Sequence, residues 1–148
     1  MKLNCLVIED SAVQRMIVVK LVNNNPQLHL VGDFSNAIEA RNCLNIHSID
    51  LIFLDIEMPV INGFSFLEGL KTKPQIIFVT AKAEHALRAF DYAPTDYIKK
   101  PVTLNRFEIA VHRVSRSSGV PIGERGRRGA APGNAGQRQQ PGRANGPR

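Results

Sequence analysis

The chain has 148 residues, is 43% apolar and 22% charged, and carries a formal net charge of +6. That length has room for one domain with an extension, and its apolar runs are too short to span a bilayer. The charge is lopsided: residues 119–148 hold six Arg and one Glu, which leaves only +1 for the first 118 residues and removes a general electrostatic case for nucleic-acid binding there.

In chain order, the opening "MKLNCLVIED" meets acids at Glu9 and Asp10 where a signal peptide needs more apolar residues, so a cytoplasmic protein is expected. Cys5 and Cys43 lack metal-ligand spacing and read as reduced core thiols. Leu3 to Ile8 is a short, almost wholly apolar run, suited to a parallel strand covered on both faces. Val13, Met16, Ile17, Lys20 and Leu21 then fall at helical spacing, and the Asn23-Asn24-Asn25-Pro26 cluster stops the helix. "LHLVGDF" is a second strand, and Asn36 to His47 a helix with Ala37, Ala40 and Leu44 on one face. "DLIFLD" is the third strand, followed by a short helix from Gly63 to Lys71 that ends before Lys73-Pro74. "QIIFVT" is the fourth strand, Glu84 to Tyr92 a helix stopped by Pro94, and "DYIKK" a short fifth strand. Thr103 to Ser115 is the last helix, with Leu104, Phe107, Ile109, Val111 and Val114 as its apolar side. Strands alternating with helices imply an α/β fold: a doubly wound parallel sheet with helices on both faces and right-handed crossovers.

In such sheets ligands bind at the carboxyl ends of the strands, near the switch in strand order. The first strand ends in Glu9-Asp10, the third in Asp55 with Glu57 two residues on, the fourth in Thr80 and the fifth in Lys99-Lys100-Pro101. Carboxylates gathered in one pocket repel, each close pair by about 1–4 kcal/mol depending on the dielectric. A divalent cation removes that cost, and an oxygen-only donor set favours a hard ion, Mg²⁺ above all, which suits phosphoryl chemistry. Lys100 would add a point charge for a phosphoryl oxygen and Thr80 a hydroxyl donor. The candidate nucleophile is then Asp55, since carboxylates can accept a phosphoryl group covalently. Singly, each signal has a plainer meaning: Asp as a turn residue, Lys-Pro as a surface turn, Thr as a strand former. Together, in this order on successive β-α units, they point to a site.

The sequence resembles the receiver domain of two-component response regulators over about residues 1–118. The family pattern is an acidic pair, a phospho-accepting Asp, a Thr or Ser, and Lys-Pro, supplied here by Glu9-Asp10, Asp55, Thr80 and Lys100-Pro101. Asp55, Met58, Pro59 and Gly63 fit the "D-x-x-M-P-x-x-x-G" signature, and Tyr97 matches the switch aromatic. The resemblance implies a flavodoxin-like fold with strand order 2-1-3-4-5. Asp55 would take a phosphoryl group from a sensor histidine kinase or histidine phosphotransfer protein. Mg²⁺ would be held by Asp10, Asp55 and the backbone carbonyl of Glu57, with Glu9 acting through water. Thr80 and Lys100 would hold the phosphoryl oxygens. Thr80 and Tyr97 would then move inward and alter the face formed by the fourth helix, fifth strand and fifth helix, a face that could also support a homodimer. A cis bond is expected at Lys100-Pro101.

Two positions depart from the commonest pattern. The acidic pair is Glu-Asp where Asp-Asp is more usual, and Glu57 and Lys82 flank the phosphorylation site, where an ion pair between them would hinder an attacking water. "HALRAFDYAPTDYIKKPV" is similar to receivers of the LytTR type, whose output is a DNA-binding domain. DNA is therefore an expected partner only if such an output belongs to a longer protein; the other expectation is a stand-alone receiver. Residues 119–148 have eight Gly and four Pro and are expected to be a disordered tail or linker. No enzyme activity is expected beyond the domain's own phosphorylation and dephosphorylation. Two alternatives are a binding-only degenerate receiver and a phosphatase forming an aspartyl phosphate. Retention of Asp10, Asp55, Thr80 and Lys100 argues against the first. Met58-Pro59, which breaks the haloacid-dehalogenase pattern, argues against the second.

Overall fold

The structure is a computed structural model and describes residues 2–118. The expected tail at 119–148 lies outside those residues. One compact unit runs to Val114. Five strands, β1 (Leu3–Ile8), β2 (Leu28–Phe34), β3 (Leu51–Leu54), β4 (Gln75–Thr80) and β5 (Asp96–Lys99), form one sheet in the order β2-β1-β3-β4-β5. Every neighbouring pair is parallel. The chain therefore leaves β1 in one direction to make β2 and returns past it to make β3, which puts the switch in strand order between β1 and β3.

Five helices cover the sheet: α1 (Ala12–Asn23), α2 (Ala37–Ile46), α3 (Gly63–Glu68), α4 (Ala86–Ala89) and α5 (Leu104–Ser118). Strand residues alternate between two cores, as the pleat requires. Cys5, Val7, Phe53, Ile77 and Ile98 join Val18 and Val22 of α1 and Phe107, Val111 and Val114 of α5. Leu6, Ile8, Ile52, Leu54 and Phe78 join Ala37 and Ala40 of α2, Phe64 and Phe66 of α3 and Ala89 of α4. Phe53 stacks on Phe107 at 5.3 Å, which fastens α5 to the centre of the sheet. Asparagines or serine cap three helices: Ser11, Asn36 and Asn62 accept from Gln14 N, Glu39 N and Ser65 N.

The helices depart from the sequence expectation in their faces and ends. In α1, Val13 and Met16 are exposed, and Val18 and Val22 are buried instead. This segment is apolar almost all round, so periodicity alone offered two competing faces. In α5, Leu104 and Ile109 are exposed while Ala110 is buried. Helix α3 stops at Gly69, short of Lys71, because glycine readily ends a helix. The expected helix from Glu84 to Tyr92 is one α-turn between 3-10 turns at Ala83–His85 and Phe90–Tyr92, ended by Ala93 at φ 46°. The Lys100-Pro101 bond is cis, as expected. Among the described residues no helix is long and apolar enough to cross a membrane.

Candidate functional site

Parallel pairing places the carboxyl ends of β1, β3, β4 and β5 on one rim. Asp55 leaves β3 with its amide donating to the Ile8 carbonyl at 3.0 Å, beside the Glu9-Asp10 pair that ends β1. One carboxylate oxygen from each of Glu9, Asp10 and Asp55 lies within 4.8 Å of the others. Glu9 and Asp55 are each only 3% exposed, whereas Asp10 faces solvent. From the β5 side, the Lys100 amide donates to the Thr80 carbonyl at 2.8 Å. The Lys100 ammonium reaches Glu9 Oε1 at 2.6 Å and Asp55 Oδ2 at 3.6 Å. Glu9 Oε2 accepts from Ser11 N at 3.1 Å, which ties this acid to the cap of α1.

One ammonium among three carboxylates leaves the rim over-acidic. Burial, and then the charge of Glu9, push the Asp55 carboxyl up to about 8, against a smaller opposing pull from Lys100. The Thr80 hydroxyl is buried with no hydrogen-bond partner, and a buried polar atom without a partner costs free energy unless something else engages it. An oxygen-only donor set with excess negative charge and an unengaged hydroxyl beside it fits a hard divalent cation and an oxyanion.

The loop after β3 is shaped around Asp55. Glu57 N donates to Asp55 Oδ1 at 3.3 Å. Gly63 N donates to the Ile56 carbonyl at 2.8 Å, and a Cβ at Gly63 would sit 2.6 Å from the Asp55 carbonyl oxygen, so only glycine lets α3 start this close. Val60 is 95% exposed and holds φ at 71°, a strained conformation for a β-branched residue. The Glu57 side chain reaches across to the loop after β4: its Oε2 is 3.3 Å from Lys82 Nζ and 3.2 Å from His85 Nε2. Tyr97 donates its hydroxyl to the Lys82 carbonyl at 2.7 Å and sets its ring edge-on to Phe78.

The structure thus gathers Glu9, Asp10, Asp55, Thr80 and Lys100 at one rim, with the Glu57 backbone beside Asp55 and Tyr97 reaching the loop after β4. Two features escaped the sequence reading. His85 carries no spacing signal, because only the pairing of β3 with β4 brings it to Glu57. The other is Asp96 and Arg106, which are paired with each other. Asp96 is buried and accepts from Arg106 at 2.6 and 2.7 Å, from Arg113 at 2.8 Å and from Tyr97 N at 2.7 Å. The seven-residue separation of Arg106 and Arg113 puts both on one face of α5, a signal that was available.

The response regulator receiver domain family matches residues 5–112. The chain is 38% identical over 116 residues to a response regulatory protein of Vibrio cholerae, covering 77% of this chain and 49% of that protein. It is 33% identical over 111 residues to the transcriptional regulatory protein BtsR of Salmonella typhi, covering 74% of this chain and 46% of that one. The chain thus spans about half the length of these relatives. The crystal structure of the response regulatory domain of MrkE from Klebsiella pneumoniae superposes with a TM-score of 0.71 at 29% identity, covering 77% of this chain and 96% of that domain.

Proposed function

The chain belongs to the response regulator receiver domain family of two-component signalling, and from that premise we propose that Asp55 is its phospho-acceptor. The observation that carries this reading is the buried Asp55 carboxylate flanked by Glu9, Asp10 and Lys100 at the switch in strand order. In the proposed step an Asp55 oxygen attacks the phosphorus of a phosphohistidine on a histidine kinase or phosphotransfer protein. The P–N bond breaks, and its electron pair returns to the imidazole nitrogen. Asp55 attacks as the carboxylate, a form that burial and the charge of Glu9 disfavour and a nearby positive charge favours. Asp10, Asp55 and the Glu57 carbonyl would hold Mg²⁺, with Glu9 acting through water, and the ion would neutralise charge on the phosphoryl oxygens. Lys100 would hold one of those oxygens and Thr80, whose hydroxyl is unengaged, another. Tyr97 would follow the loop that carries Thr80 and so report phosphorylation on the α4-β5-α5 face.

On this reading the domain catalyses only its own phosphorylation and dephosphorylation, in the cytoplasm. The stretch from His85 to Val102 supports a LytTR-type assignment. The relatives are about twice as long and one is named a transcriptional regulatory protein, which supports reading this chain as the receiver part of a longer regulator with DNA as its partner, ahead of a stand-alone receiver. The exposed Leu87 and Phe90 support a homodimer through the α4 side.

The test is intact-mass analysis after incubation with Mg²⁺ and acetyl phosphate. One added phosphoryl group is expected, absent in Asp55→Asn and absent with chelator. A binding-only protein shows no adduct, and a phosphatase turns donor over without accumulating one.

A further inference from the structure

We propose that His85 is the positioning residue that fixes the Glu57 carboxylate at the loop after β4 and thereby slows loss of the phosphoryl group. The inference rests on the reading of Asp55 as phospho-acceptor and adds a residue outside the five gathered at the rim.

Glu57 Oε2 is shared by two side chains from the loop after β4, the Lys82 ammonium at 3.3 Å and the His85 imidazole at 3.2 Å. They are not equivalent anchors. The Lys82 side chain is 53% exposed on a four-carbon stem, whereas that of His85 is 24% exposed. The imidazole also has its orientation set from behind. It stands edge-on to Phe64 at 6.1 Å, and Phe64 is itself stacked on Tyr92 at 4.9 Å and covered by the Arg88 guanidinium at 4.5 Å. Holding a short, packed ring in place costs less side-chain entropy than holding a lysine arm. The Glu57 backbone amide is bonded to Asp55 Oδ1. The clasp therefore joins the loop that carries the reactive carboxylate to the loop that begins at Thr80.

In the hydrolysis that ends the phosphorylated state, a water oxygen attacks phosphorus. The bond from phosphorus to the Asp55 oxygen breaks with its electron pair left on the carboxylate, and the water's protons pass to phosphate and solvent. A Glu57 side chain held in one place obstructs that water, and a released one does not.

The experiment follows decay of the phosphorylated full chain by intact mass after removal of acetyl phosphate. His85→Ala is expected to speed decay about two- to fivefold, the range of an exposed charged contact. Lys82→Ala should speed it less, and His85→Gln, which keeps a donor at the same reach, should stay near the parent rate. In a Glu57→Ala background the His85→Ala effect should vanish, an outcome that general loosening of the loop does not produce. Decay of His85→Ala at the parent rate, or an undiminished effect without Glu57, overturns the inference. Failure of the parent chain to gain a phosphoryl group overturns the Asp55 reading instead.

Discussion

Two buried carboxylates of this domain meet opposite electrostatic fates. Asp96, at the start of β5, is enclosed by Arg106, Arg113 and the Tyr97 amide, so its own chain supplies more positive charge than it carries. Asp55, at the other end of the sheet, shares a pocket with Glu9 and Asp10, and the Lys100 ammonium is 3.6 Å away and closer to Glu9. A buried charge saturated from within needs nothing further and serves the fold. One left in excess is held at a cost that an external cation or a chemical step relieves.

The largest effect is expected on the saturated side. Asp96→Ala strands two guanidinium groups and a backbone amide, and urea unfolding should show a loss of about 2–3 kcal/mol, less than for a fully buried pair because the arginines are partly exposed. A loss as small as that of a surface ion pair would break the comparison. Next is the metal. Mg²⁺ at a hundredfold excess over its dissociation constant should add about 2.7 kcal/mol to the unfolding free energy. Asp55→Asn or Asp10→Asn should reduce that gain, and Asp96→Asn should not.

Third is the pH dependence without divalent cation. The folded-state pKa of Asp55, about 8, lies above its ordinary value of 3.8. Between those values the native state binds more protons than the unfolded chain, so this group's contribution falls as pH rises from about 4 to 8. Asp55→Asn should flatten that slope in thermal melts and raise the melting temperature at neutral pH by several degrees. The smallest change is Val60→Gly, which relieves left-handed strain and should stabilise by up to about 1 kcal/mol, since glycine's greater freedom in the unfolded chain offsets part of the relief. This loop follows Asp55 but is outside both charge clusters, so a larger response from Val60→Gly than from Asp55→Asn would blur the distinction.

The strands were legible almost to the residue, because a strand covered on both faces leaves an unbroken apolar run such as "LIFL" between polar neighbours. The helices were less so. Ile17, Val18, Val19, Leu21 and Val22 give α1 more apolar surface than it buries, and only contact with Phe53 and its neighbours selects Val18 and Val22. The acidic rim was legible because its members end consecutive strands, and topology turns that order into proximity. His85 was not, since nothing along the chain relates it to Glu57, and neither was the burial of Asp96, because composition cannot tell a solvated charge from one closed over by its own helix.

The glycine that opens α3 has a further consequence. Its missing side chain is what allows the first turn of that helix to rest on the peptide of Asp55. In a mutational scan this position would behave like a member of the chemical machinery, intolerant of every replacement, while contributing no functional group at all. Its identity is dictated by clearance, and a search for activity by reactive side chains alone would pass over it.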